Sequence, residues 1–296
     1  MLPLPAPSDG RCHCPLRRNR RKDLPLPELP EVETTLRGIL PHLQGRRVAA
    51  LVVRQPALRW PIPAELSALL PGQIVRGGQR RGKYLLLALD AGHLLLHLGM
   101  SGSLRMVAPG LAAGPHDHFD LRLDDGGVMR FTDPRRFGAL LWLTGDPFIH
   151  PLLRALGPEP LSVAFDADYL HVRSRGRRVP VKSFLMDSRI VVGIGNIYAN
   201  EILFLSGIHP LRAAGRIARP RYAAIVTAAR EVLGSAIRQG GTTLRDFVGG
   251  DGRPGYFRQR LQVYGRGGEP CRKCGQTLRE VRLGARTTVY CPDCQR

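Results

Sequence analysis

Apolar side chains recur at three- and four-residue steps early in the chain, at Val32, Leu36, Ile39 and Leu43, which is the stripe of a short amphipathic helix. Pro30 falls where the first turn of a helix tolerates it, and Glu31 and Glu33 bring acid to the positive end of the helix dipole. The period then changes. Segments 48–55, 73–90, 93–107, 118–134 and 138–144 are rich in Leu, Val and Phe, and turn signals such as Pro71-Gly72, Ala91-Gly92 and Asp125-Gly126-Gly127 punctuate them. Strands are predicted there, forming a β-sandwich or flattened barrel with the first helix packed on it. Gly157-Pro158-Glu159-Pro160 breaks the pattern and reads as a linker. Helical patterning follows at 152–156, 181–188, 197–207 and 220–239, the last stopped by Gly240-Gly241. From about 258 the chain turns to short strands. The expected organisation is a segment 1–26, a sandwich over 27–156, a helical domain over 157–258 and a small terminal unit over 259–296.

Charge adds a partner class. The 296 residues carry 44 Lys and Arg against 24 Asp and Glu, a formal net charge of +20. An excess of this size points to a polyanion, nucleic acid first and an anionic membrane surface second. Asp90 and His93 interrupt the longest apolar stretch, so no membrane-spanning run of about 18 residues is present. The start, Met1 to Pro7, is too short in apolar residues and too rich in proline for a signal peptide. A cytoplasmic, nucleoid-associated monomer is expected.

Four of the six cysteines form two pairs near the end of the chain, Cys271-x-x-Cys274 and Cys291-x-x-Cys294. Two such knuckles can set four thiolates tetrahedrally around one zinc ion, and four ligands leave no open position, so the ion would be structural. Disulfides or a redox pair are the other reading of the same spacing. Between the knuckles a β-hairpin is expected over 278–290, on a strongly basic arm.

The tract Pro27-Glu28-Leu29-Pro30-Glu31-Val32-Glu33-Thr34 sets a proline beside a carboxylate. A proline with a free ring nitrogen is a secondary amine, able to form an iminium with a sugar carbon while a neighbouring acid protonates what leaves. Further tracts follow in order: Arg80-Arg81-Gly82-Lys83-Tyr84-Leu85, His97-Leu98-Gly99-Met100-Ser101-Gly102-Ser103-Leu104, His116-Asp117-His118, Thr132-Asp133-Pro134-Arg135-Arg136-Phe137-Gly138, Val192-Gly193-Ile194-Gly195-Asn196-Ile197-Tyr198-Ala199 and Gly240-Gly241-Thr242-Thr243-Leu244. Over 27–296 the chain resembles the formamidopyrimidine-DNA glycosylase family. The resemblance implies an α+β protein: an N-terminal β-sandwich with a packed helix, then a helix-two-turns-helix domain bearing a β-hairpin zinc ribbon. It implies a bifunctional DNA glycosylase and abasic-site lyase that needs no cofactor beyond the structural Zn2+. Its partner is double-stranded DNA containing oxidised bases or abasic sites.

Roles come with the resemblance, residue by residue. Pro27 attacks C1′ of a flipped nucleotide, Glu28 serves as acid and base on the opened sugar, and Lys83 and Arg286 assist. By its own pattern Lys83 is either a buried amine on an apolar strand or a strand-end lysine reaching solvent. Met100, Arg135 and Phe137 would fill the hole left in the duplex; alone, they read as core packing and an ordinary salt bridge. His116, Arg177, Lys182 and Asn196 match DNA contacts, with Asn196 capping the glycine-rich turn and the helix N–H groups suited to a phosphate. The glycine-rich stretch 249–256 corresponds to a mobile loop over the everted base. The expected substrates are oxidised purines, 8-oxoguanine and formamidopyrimidines, with β,δ-elimination of the abasic strand. Leu29 and the Asp133 to Phe137 tract favour this over the endonuclease VIII type, which prefers oxidised pyrimidines.

One feature stands against catalysis. Twenty-six residues precede Pro27, and an amide nitrogen is no nucleophile. Leu26 occupies the place of an initiator, and leucine codons can serve as starts, so residues 1–25 are expected to come from an over-extended reading frame. If Pro27 stayed blocked, a lesion-binding protein without catalysis would remain. A zinc-ribbon RNA-binding factor would explain charge and cysteines but leave Pro27, Glu28 and Lys83 idle.

Overall fold

The computed structural model describes residues 27–241 and 261–296. The segment before Pro27 and the 249–256 stretch lie outside the described residues. The amphipathic stripe forms helix α1, Leu29–Leu43, with Val32, Leu36, Ile39 and Leu43 all buried. Eight antiparallel strands, accompanied by the one-turn helix α2 (Leu66–Leu69), then build two four-stranded sheets. One takes the order β1, β6, β7, β5, with β1 Val48–Val53, β5 Ser103–Val107, β6 Asp117–Leu123 and β7 Val128–Thr132. The other takes the order β2, β3, β4, β8, with β2 Val75–Arg81, β3 Tyr84–Leu89, β4 Gly92–His97 and β8 Ala139–Leu143. Their inner faces and α1 share one core containing Leu51, Leu85, Leu87, Leu94, Phe119, Met129 and Phe131.

Three of the expected strands are each two strands: 73–90 and 118–134 are hairpins, and 93–107 crosses from one sheet to the other. The 73–90 segment bends at Gly82, whose φ of +59° only glycine adopts without strain, and Lys83 stands in that turn instead of on a strand. The 93–107 segment breaks at Gly99 to Gly102, and 118–134 breaks at Asp124 to Gly127. The unbroken Leu85-Leu86-Leu87 run has a physical reason. Leu85 and Leu87 face the sandwich core, while Leu86 lies with Leu95, Leu143 and Leu153 of helix α3 (Pro151–Arg154) on the other face. Burial on both faces removes the usual alternation.

The helical half comprises α4 (Ala167–Ser174), α5 (Val181–Met186), α6 (Asn196–Leu205) and α7 (Arg219–Arg238), around a core with Phe165, Phe184, Tyr198 and Tyr222. Helix α4 has a weak apolar stripe and was not expected. The final unit is a hairpin, β9 Arg279–Leu283 and β10 Arg286–Tyr290, on a small core of Phe204, Val263, Leu278 and Val289. It is docked on α6: Val289 N donates to Asn200 Oδ1 at 2.9 Å, and Val263 N and Tyr264 N donate to the buried Glu201 carboxylate.

The expected linker is a clasp. Gly157 N donates to Ser188 O, and Val192 N donates to Pro158 O. The Glu159 carboxylate accepts from Arg80 Nη1 at 2.6 Å, Arg81 Nη1 at 3.2 Å and Gly82 N at 2.7 Å. Arg80 in turn reaches Glu33 of α1 at 2.9 Å. The connection therefore ties the helical half to the hairpin that presents Lys83. Glu159→Gln leaves two largely buried guanidiniums short of charge and is expected to cost about 1–3 kcal/mol. A lower urea midpoint at unchanged m-value checks it.

Candidate active site and metal centre

Glu28 is 1% exposed and sits at the start of α6. Its carboxylate accepts from Gly195 N and Ile197 N, both at 2.8 Å, and from Tyr198 N at 3.3 Å. These are the unpaired N–H groups of a helix start, so the sequence's expectation of a phosphate there gives way to a carboxylate from the chain's other end. Glu28 is the cap in place of Asn196, which is the first helical residue and whose Oδ1 is buried without a partner. Glycine makes the approach possible: a Cβ on Gly195 would overlap the Glu28 carboxylate, and one on Gly193 would overlap Leu29. The Glu28 backbone N–H donates to Glu31 Oε2 at 3.0 Å, and Tyr198 Oη donates to Glu31 Oε1 at 2.7 Å. Pro27 is buried immediately before this pair. Neither Glu31 nor Tyr198 stood out in the sequence, although the Glu28-x-x-Glu31 spacing of a capping box was there to be read.

Two lysines are coupled to this carboxylate, and Arg286 is coupled to both lysines. Burial pushes Glu28 up to about 6, against the pull of Lys83 and the helix N–H groups. Burial likewise holds Lys83 below the ordinary lysine value, with Glu28 opposing and Arg286 reinforcing the shift. Lys182 is 1% exposed and lowered to about 7 by burial, again under the influence of Glu28 and Arg286. Its Nζ donates to Thr287 O at 2.9 Å and Thr288 Oγ1 at 2.8 Å, so it anchors the strand whose first residue is the exposed Arg286. The structure thus gathers Pro27, Glu28, Lys83, Lys182 and Arg286 from four separate parts of the chain.

A second cluster forms at the end of the sandwich. Met100 lies in the turn after β4 and Arg135 and Phe137 in the turn after β7. Phe137 is 46% exposed, and Arg135 Nη2 donates to Met100 O at 2.7 Å. His97, lowered to about 4 by burial and by Lys83 and Arg59, accepts from Gly99 N at 2.9 Å and so steadies the first turn as a neutral ring. His116 is exposed on the adjoining loop, and Arg177 is exposed on the turn after α4.

The four ribbon cysteines are free thiols whose sulfurs lie within 4.8 Å of one another. Cys271 and Cys294 sulfurs are 4.0 Å apart and those of Cys274 and Cys291 3.4 Å. A tetrahedron with Zn–S near 2.3 Å has edges of about 3.8 Å, so the set fits zinc. Lys273 N and Cys294 N each donate to a knuckle sulfur at 3.4 Å, which favours thiolates. One structural Zn2+ belongs here.

Two outcomes follow. The raised Glu28 pKa means the fold favours its protonated form. Stability from this group is complete below pH 4.5 and is lost as pH rises through about 6. Relative to Glu28→Gln, the wild type should therefore lose roughly 2 kcal/mol across that window, read from urea unfolding at stepped pH. For the metal, binding contributes on the order of 10 kcal/mol to ribbons of this kind. Chelation or Cys274→Ser should therefore abolish amide protection in β9 and β10 while the sandwich keeps its own, as hydrogen exchange would report.

Comparison with known proteins agrees with this geometry. Residues 26–140 match the family described as formamidopyrimidine-DNA glycosylase N-terminal domain, 156–248 its H2TH domain, and 268–296 a zinc finger found in FPG and IleRS. Formamidopyrimidine-DNA glycosylase of Alkalilimnicola ehrlichii is 59% identical over 278 residues, covering 92% of this chain and 100% of that one. A Pseudomonas putida protein of the same name is 58% identical over 271 residues, with the same coverage. Among solved structures, MutM (Fpg) of Thermus thermophilus superposes with a TM-score of 0.82 at 40% identity, covering 91% of this chain and 98% of that one. Lactococcus lactis Fpg in complex with abasic-site DNA does so with 0.84 at 30% identity, covering 91% and 99%. With the buried carboxylate, its two coupled lysines and the four-cysteine ribbon all in one frame, the chain belongs to the formamidopyrimidine-DNA glycosylase family.

Proposed function

We propose that this protein excises oxidised purines, 8-oxoguanine and formamidopyrimidines, from duplex DNA and then cleaves the abasic strand by β,δ-elimination. The observation that carries the reading is Glu28: a carboxylate beside Pro27, raised to about 6 and surrounded by Lys83, Lys182 and Arg286. A group titrating near neutrality can both give and take a proton. The Pro27 amine adds to C1′ of the flipped nucleotide and displaces the base. Glu28 protonates the sugar ring oxygen as the ring opens to an iminium. The iminium acidifies the C2′ proton, whose removal expels the 3′ phosphate, and a second elimination releases the sugar remnant. Arg286 offsets the phosphate charge, with the Lys83 to which it is coupled assisting. Lys182 holds the strand that presents Arg286 to the DNA backbone. His116, Arg177 and Asn196 contact the backbone, while Met100, Arg135 and Phe137 occupy the gap left by the flipped base. Cytoplasmic, nucleoid-associated work on DNA as a monomer completes the reading.

The chemistry requires a free Pro27 nitrogen. We infer that initiation at position 26 or trimming exposes it, which accords with a family match that begins at residue 26. The test uses borohydride during reaction with an 8-oxoguanine:C duplex. Protein beginning at Pro27 should form a covalent protein–DNA adduct whose mass is that of the protein and the damaged strand less the excised base, and protein retaining residues 1–25 should form none. Faster excision from a thymine-glycol:A duplex would reassign the substrate class to oxidised pyrimidines. Trapping by the longer protein would move the nucleophile away from Pro27.

A further inference from the structure

Asp133 is 0% exposed and makes more connections than a turn of its length requires. Its Oδ1 accepts from Ser101 Oγ at 2.6 Å and from Arg135 N at 3.3 Å, and its Oδ2 accepts from Gly138 N at 2.8 Å. Its backbone N–H donates to His116 O at 2.9 Å. Its carbonyl lies 2.6 Å from Nε2 of His118, a side chain 4% exposed, and also accepts from Arg136 N at 3.2 Å. One residue thus meets the neighbours of Met100, Arg135 and Phe137 and the backbone of His116.

The surrounding backbone shows why such a node is needed. Arg136 has φ of +57°, the left-handed region that L side chains enter at a cost, and it is the single non-glycine among the described residues that does so. Gly99, φ +65°, presses the Met100 turn onto the Phe137 backbone so closely that a Cβ would overlap it. Each turn has a backbone bond of its own, Gly102 N to Leu98 O and Arg136 N to Asp133 O, but the Asp133 carboxylate, through Ser101 Oγ, Arg135 N and Gly138 N, is what ties the two turns to each other.

We propose that Asp133, with Ser101, is the positioning residue that makes Met100, His116, Arg135 and Phe137 one rigid contact surface, so that they engage the duplex at the flipped nucleotide together. This rests on the reading of those four as DNA contacts. Asp133 touches neither the sugar nor the base. Its contribution is preorganisation: the four contacts need not be ordered at the moment of binding. Its loss therefore affects the steps that need an opened duplex and spares elimination at a sugar that has no base to flip.

The experiment compares two substrates under single-turnover conditions, an 8-oxoguanine:C duplex and a single-stranded oligonucleotide with a preformed abasic site. The proteins are wild type, Asp133→Asn, Ser101→Ala, Met100→Ala and the Ser101→Ala/Met100→Ala pair. Asp133→Asn keeps shape and size, and Ser101→Ala removes one hydroxyl, so a folding failure of the first leaves the second to decide. Excision from the duplex should slow by on the order of tenfold to a hundredfold in Asp133→Asn and measurably in Ser101→Ala. Elimination on the single strand should be unchanged in both. The double variant should slow by less than the product of the two single effects, because the Ser101 arm of the clasp acts in part through Met100. Equal slowing on both substrates, unchanged duplex excision in Asp133→Asn, or fully additive effects overturn the proposal. Met100→Ala without effect on the duplex removes the contact reading itself. Met100→Ala slow with Asp133→Asn unchanged keeps that reading and removes only the clasp.

Discussion

The carboxylate of Glu28 accepts three N–H groups from residues 167, 169 and 170 positions away, at the first turn of α6. Most of what matters in this molecule depends on that contact. It draws the first residues of the sandwich against the helical half, where α1 already packs on α7. The opposite end of α6 then carries Asn200, Glu201 and Phe204 into the ribbon. One helix therefore relates the carboxylate beside Pro27 to the strand that presents Arg286.

The electrostatics of the site follow from the same burial. Carboxylates and amines taken out of water are each pushed toward neutrality, and each draws the other back. Here burial prevails for Glu28, Lys83 and Lys182, moving the acid up and the two lysines down. Groups that would be fully ionised in water are thereby brought toward neutral pH, where proton transfer is most effective. Lys83 and, after it, the helix N–H groups keep the Glu28 shift moderate, so the carboxylate remains available in both states.

Sequence periodicity carried the local layer. The α1 stripe, the apolar strands and the helices of the second half sit where spacing put them, because each buries one face and must repeat to do so. Helix α4 escaped because its stripe is weak and it is held by α7 more than by its own pattern. The hairpin turn at Gly82 escaped because both faces of the strand after it are covered, which erases alternation, and the crossover at Gly99 escaped because a change of sheet leaves no mark in the spacing. Lys83 was visible as a candidate, but its position in a turn was not. Glu159 looked like linker sequence, since proline and glycine flank it, and only its three donors reveal a clasp.

By itself the chain specified its family, its zinc ligands and the residue types of its chemistry, because metal knuckles and motif tracts are short-range patterns that survive without coordinates. Tertiary structure decided who holds whom. That Glu28 caps α6 in place of Asn196, that Lys182 pins the Arg286 strand, and that Asp133 joins the turns of Met100, Arg135 and Phe137 to His116 are facts about buried donors meeting acceptors across the fold. Buried polar groups must find such partners, but sequence spacing does not say which, since the pairing is set by how separate elements pack.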